Sequence, residues 1–178
     1  SHVAIDGEEI PIPLQGKVTE GKGWVLRNSK GQYTLTLDGL KAGSLERKTP
    51  ALEIQGDLTL VLKKGTESEL LSADAALKKG AGTLTIRGEG SLRLQGETAL
   101  EGEWKEETLN QDEPSALRIE GGKLVFTGEE TALYEDTVEL AGGEIQIQCL
   151  NGKGTGIRAH TLDDRHFSGS LEMEESEE

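Results

Sequence analysis

The chain has 178 residues, 34% of them hydrophobic, 24 glycines, four prolines and a formal net charge of −14 from 33 acidic and 19 basic residues. That is enough for one domain with a core, rich in turns and repelled by nucleic acid and anionic membrane surfaces. No apolar run approaches the roughly 20 residues of a membrane span, and a single cysteine, Cys149, excludes an internal disulfide.

Residues 1–32 carry Pro11 and Pro13, which suit an edge that should not pair further, and they read as an N-terminal cap that includes Trp24. Short runs of period two then follow. Leu35 and Leu37 share a face in YTLTLDGL, with Tyr33 in phase as a core or cap residue. Leu58, Leu60 and Leu62 share one in LTLVL. The pattern continues at Leu84 and Ile86, Leu92 and Leu94, Leu117 and Ile119, Leu124 and Phe126, Val138 and Leu140, and Ile145 and Ile147. Cys149 alternates with Ile145 and Ile147, which marks it as a buried thiol. Glu67 to Lys79 contains helix formers but no helical stripe, and 101–114 (EGEWKEETLNQDEP) breaks the pattern as a polar loop or an inserted segment.

A second rhythm lies over the first. A small residue followed by a large aliphatic one occurs at Ala51-Leu52, Ala76-Leu77, Ala99-Leu100, Ala116-Leu117, Ala132-Leu133 and Gly156-Ile157, in steps of 25, 23, 17, 16 and 24 residues. Steps near two dozen match one turn of a three-sided β-helix. The two short steps are either irregular coils or, together, one enlarged coil of 33 residues. Stacked coils bury what a single coil cannot, with inward Leu and Ile in columns, outward Thr, Arg and Gln in ladders, and Gly at corners. The predicted fold is therefore an all-β, right-handed parallel β-helix of about six short coils with capped ends. It forms a single domain over 1–178: an N-terminal cap at 1–32, repeat coils over 33–159, and a C-terminal cap with an acidic tail over 160–178. Six coils at the spacing of neighbouring strands make a rod on the order of 30 Å. The alternative is an antiparallel β-sandwich, which needs hairpin signals; Asn151-Gly152 is the one Asn-Gly pair.

The runs YTLTLDGLKAG, PALEIQGDLTLVLKKGTESEL, GAGTLTIRGEGSLRLQG, GGKLVFTGEE and GKGTGIRA resemble the clostridial-type carbohydrate-binding domain with a polysaccharide-lyase-like β-helix, over roughly residues 33–159. The resemblance implies a secreted or cell-surface bacterial protein that binds cellulose-like or pectin-like polysaccharide, with calcium on the solenoid. An acidic protein meeting an acidic polymer could share bridging calcium with it.

Calcium takes six to eight oxygens, and acidic residues at coil corners are its candidates: Asp38, Asp57, Asp163 and Asp164, with Asp74 and Asp136 beside them. For sugar, Trp104 stands apart from the core pattern, among Glu and Lys, and Arg158 and Arg165 lie in a charged C-terminal cluster with Lys153, His160 and His166. That cluster is the one place where lyase chemistry could sit. No nucleophile elbow, phosphate loop or zinc spacing occurs, and no catalytic residue is assigned. The function read from the chain is a non-catalytic, calcium-assisted polysaccharide-binding protein. The alternatives are a structural or adhesive surface module without a small ligand, or a polysaccharide-lyase-like enzyme.

Overall fold

The structure, a computed structural model, describes residues 1–104 and 115–175. Two antiparallel pairs open it: β1 (His2–Ile5) with β2 (Glu8–Glu9), and β3 (Val18–Gly21) with β4 (Trp24–Ser29). The following strands wind a three-sided solenoid. Its first face stacks β5 (Gln32–Leu37), β8 (Leu58–Leu62), β11 (Gly82–Gly88), β13 (Ser115–Ile119), β15 (Thr137–Leu140) and β18 (Thr161–Asp163). The second stacks β6 (Lys41–Ser44), β9 (Glu67–Ser72), the first halves of β12 (Ser91–Glu101) and β14 (Lys123–Tyr134), then β16 (Gly142–Cys149) and β19 (Ser168–Glu175). The third stacks β7 (Leu52–Gln55), β10 (Ala75–Lys79), the second halves of β12 and β14, and β17 (Thr155–Arg158). Within these faces every pairing is parallel. The expected all-β solenoid is thereby found, with about 5 turns, and not the sandwich alternative.

One of the six small-aliphatic pairs serves a different face from the rest. On the third face Leu52, Leu77, Leu100, Leu133 and Ile157 stand in direct register. Ala116-Leu117 is not among them; it lies on the first face, where Leu117 pairs with Leu84 and Val138. The two short steps are thus one enlarged coil, and residues 105–114 of its expected insertion lie outside the described residues. The strands β12 and β14 are long, at 11 and 12 residues. β12 and β14 turn the corner without breaking, at Gly96 and Gly128, which face each other in register.

Inward residues form the core. Leu35, Leu60, Ile86, Ile119 and Leu140 make a column on the first face, and Leu70, Leu94, Phe126 and Ile147 one on the second. All are essentially inaccessible to solvent. Each buried side chain of this size contributes about 1.5–3 kcal/mol relative to exposure, which is how coils with little intrinsic stability hold together. Glu67 to Lys79 forms the strands β9 and β10, in keeping with the missing helical stripe.

The two ends differ. At the N-terminal end β4 covers β5 and β1 covers β7, both antiparallel, so the ladders stop there. At the other end, where a C-terminal cap with an acidic tail is expected over 160–178, lie β18 and β19. They continue the ladders in parallel with β15 and β16, Leu162 in register with Val138 and Met173 with Ile147. Among the described residues no helix is long and apolar enough to cross a membrane.

Candidate functional site

On the third face the residue after each column leucine points outward. Register therefore places Glu101, Tyr134 and Arg158 on three successive rungs, although 57 residues of chain separate the first from the last. After Glu101 the chain turns across the next rung, where the Gly102 N–H donates to the Tyr134 carbonyl at 2.5 Å. This turn lays Trp104 against Tyr134, with ring centroids 5.1 Å apart and planes 29° from parallel. On its other contact Trp104 meets the His160 imidazole, centroids 3.6 Å apart. The Arg158 guanidinium carbon lies 5.5 Å from the Trp104 centroid and 5.8 Å from that of Tyr134.

His160 is fixed from the opposite side. Its Nδ1 is 2.5 Å from Asp136 Oδ1, and the N–H groups of His160 and Thr161 both donate to the Asp136 carbonyl, at 2.9 and 3.0 Å. The result is a half-exposed patch of two aromatic rings, an imidazole, a guanidinium and a carboxylate, drawn from three coils.

A buried polar cluster lies directly beneath. Glu135, between Tyr134 and Asp136, turns inward and meets the Lys79 ammonium at 2.8 Å, with both side chains fully excluded from solvent. Lys79 donates to Ser115 Oγ at 2.9 Å, and Ser115 donates to Glu135 Oε1 at 2.7 Å. The same Glu135 oxygen accepts the Asp136 N–H. Burial pulls the Lys79 ammonium below its ordinary pKa, and the attraction of Glu135 works against that. Gly102 sits so close to the Glu135 carboxylate that any Cβ there would collide with it. The chain carrying Trp104 is therefore seated on the buried cluster.

Of the predicted sugar contacts, Trp104 and Arg158 are brought together and Arg165 is not. Arg165 occupies the turn between β18 and β19, where its guanidinium and its own backbone N–H all bind Asp163. Those bonds pull the Asp163 carboxyl down to about 2. Of the predicted calcium ligands, Asp38, Asp57 and the adjacent pair Asp163-Asp164 lie on three separate turns. Asp38 pairs with Lys63 at 3.2 Å, and Asp57 Oδ1 accepts the Thr83 N–H at 2.8 Å. The Asp164 carbonyl accepts the Phe167 N–H. Among the described residues no group of three or more His, Cys, Asp or Glu side chains is placed to hold a metal ion. Cys149 is buried, its sulfur facing backbone carbonyls. Tyr134, His160 and Asp136 were not assigned as sugar contacts from sequence. The signal for Tyr134 exists only once Leu100 is aligned with Leu133.

Comparison with known proteins adds one match. A family model described as carbohydrate-binding domain-containing protein covers residues 3–176. No curated protein and no solved structure matches the chain.

Proposed function

The chain belongs to the family of carbohydrate-binding domain-containing proteins, and on that premise we propose that it is a non-catalytic polysaccharide-binding module whose sugar contact is the Trp104 patch. The observation that supports this is the convergence of Trp104, Tyr134, Arg158, His160 and Asp136 from three coils. A pyranose has an apolar face of C–H groups and an equatorial rim of hydroxyls. Aromatic rings take the first, and charged donors and acceptors take the second. Here the half-exposed indole is held in place by its neighbours before any ligand arrives, which lowers the ordering cost of binding. Polymers of this kind are met outside the cell, so an extracellular or cell-surface location goes with the proposal.

Affinity electrophoresis through gels containing soluble cellulose derivatives, xylan or pectate tests it. Wild-type protein should be retarded by at least one polymer, and Trp104→Ala should weaken that retention about tenfold, or about 1.4 kcal/mol. Retention of Trp104→Ala equal to wild type, or no retention of wild type on any polymer, overturns the assignment; the second result favours a purely structural module. A parallel gel with chelator tests calcium assistance: only if retention falls does calcium bridge protein and polymer. Unsaturated sugar products, read by ultraviolet absorbance, should not form.

A further inference from the structure

Outward arginines on this acidic surface are mostly spoken for. Arg47 binds Asp6, Arg93 binds Glu69, Arg118 binds Glu120 and Glu139, and Arg165 binds Asp163. Among the described residues three have no carboxylate partner: Arg27, Arg87 and Arg158. Arg158 belongs to the Trp104 patch. Arg87 lines a groove of about 380 Å³ across the first three coils, together with Gln32, Tyr33, Asp57, Thr59 and Thr85. Asp57 uses one oxygen on the Thr83 N–H. The side chains of Gln32, Thr59, Thr85 and Arg87 make no hydrogen bond within the described protein, so their donors and acceptors are presented outward. A groove with a free guanidinium and several unspent hydroxyls, floored by the half-buried Tyr33 that packs against the core, has the polar complement of a sugar subsite.

Register ties this groove to the Trp104 patch. Thr83, which also lines the groove, stands in line with Ala116, Thr137 and Thr161 on successive rungs. Asp136 and His160 immediately precede the last two of these. Thr34, Thr59 and Thr85 likewise occupy three successive rungs at the groove. From the rung of Thr34 to that of Thr161 is about 24 Å at the strand spacing, room for roughly five pyranose units laid end to end.

We propose that the groove at Gln32, Tyr33, Thr59, Thr85 and Arg87 is a second subsite, and that one extended polysaccharide chain lies along the solenoid axis and occupies it and the Trp104 patch together. The inference rests on the Trp104 patch being a sugar contact. Its ligand is a linear polymer of pyranose units, and its signature is dependence on chain length. Two linked subsites gain avidity only when the ligand spans both.

The test is isothermal titration of cello-oligosaccharides and of oligogalacturonides of increasing length, from dimers to octamers. The two series separate a neutral from an acidic chain as the source of the hydroxyl-rich ligand. Wild-type affinity should climb with length and level off once the chain spans both subsites. Arg87→Ala and Gln32→Ala change exposed side chains and should leave the urea midpoint unchanged. Each should weaken the longest oligomers, Arg87→Ala by about tenfold, and leave the shortest untouched. Trp104→Ala should weaken every length. If Arg87→Ala and Gln32→Ala bind the longest oligomers as wild type does, the groove is no subsite while the Trp104 patch stands. If Trp104→Ala matches wild type at every length, the underlying reading fails.

Discussion

The Lys79 ammonium lies 2.8 Å from Glu135 Oε2 with neither side chain touching solvent, a salt bridge closed inside the solenoid. Removing one partner leaves the other charge buried alone. Glu135→Ala should therefore lower stability to urea by about 3–5 kcal/mol. The double variant Lys79→Met with Glu135→Leu removes both charges and should recover most of that loss. If the cluster seats the chain that carries Trp104, the double variant should refold yet bind polysaccharide more weakly than wild type, because Asp136 and Gly102 lose the carboxylate they rest on.

Gly43 tests the corners. Its φ is +82°, and a Cβ there would overlap the Leu71 carbonyl on the next coil and press on Ala51. Gly65 has nearly the same φ, +80°, but open space around it. Gly65→Ala carries only the backbone penalty of about 1–2 kcal/mol. Gly43→Ala adds the collision and should have the lower urea midpoint of the two.

Sequence reading reached the fold through the column residues, because a buried aliphatic every second position leaves a visible period. It stopped where meaning depends on register. Ala116-Leu117 has the same grammar as the five true marks, and only the pairing of Leu117 with Leu84 reveals that it serves another face. Nothing local in AALKK or YEDT says that Lys79 and Glu135 point inward and meet. Trp104 stood out because it broke the pattern. Its partners Tyr134 and His160 lie 30 and 56 residues downstream and come to it only through the coil stacking.

Asp163 offers a pH signature. Arg165 holds it in the ionised form, first through the guanidinium and then through its backbone N–H, so the carboxyl titrates at about 2 rather than 3.8. A folded-state value below the unfolded one contributes stability above the unfolded value, and that contribution is lost as pH falls from about 4 toward 2. Carboxyl chemical shifts followed by NMR should show Asp163 ionised through that window. Arg165→Ala should move its midpoint upward but not fully to the ordinary value, because the residue-165 backbone N–H remains.

Arg158 separates charge from shape. Its guanidinium is 5.5 Å from the Trp104 centroid and 5.8 Å from that of Tyr134, close enough for both rings to attract it. A half-exposed contact of this kind is worth about 0.5–1 kcal/mol, so Arg158→Ala should weaken polysaccharide retention about two- to fivefold. Lysine keeps the charge but replaces a flat, weakly hydrated fork with a compact, strongly hydrated ammonium, so Arg158→Lys should fall between. In a Trp24→Phe background Trp104 is the one remaining tryptophan. Acrylamide quenching should then rise in the order wild type, Arg158→Lys, Arg158→Ala, while the urea midpoint stays constant. Equal quenching in all three would mean that Arg158 does not help to hold the indole, and that any loss of binding comes from its contact with sugar alone.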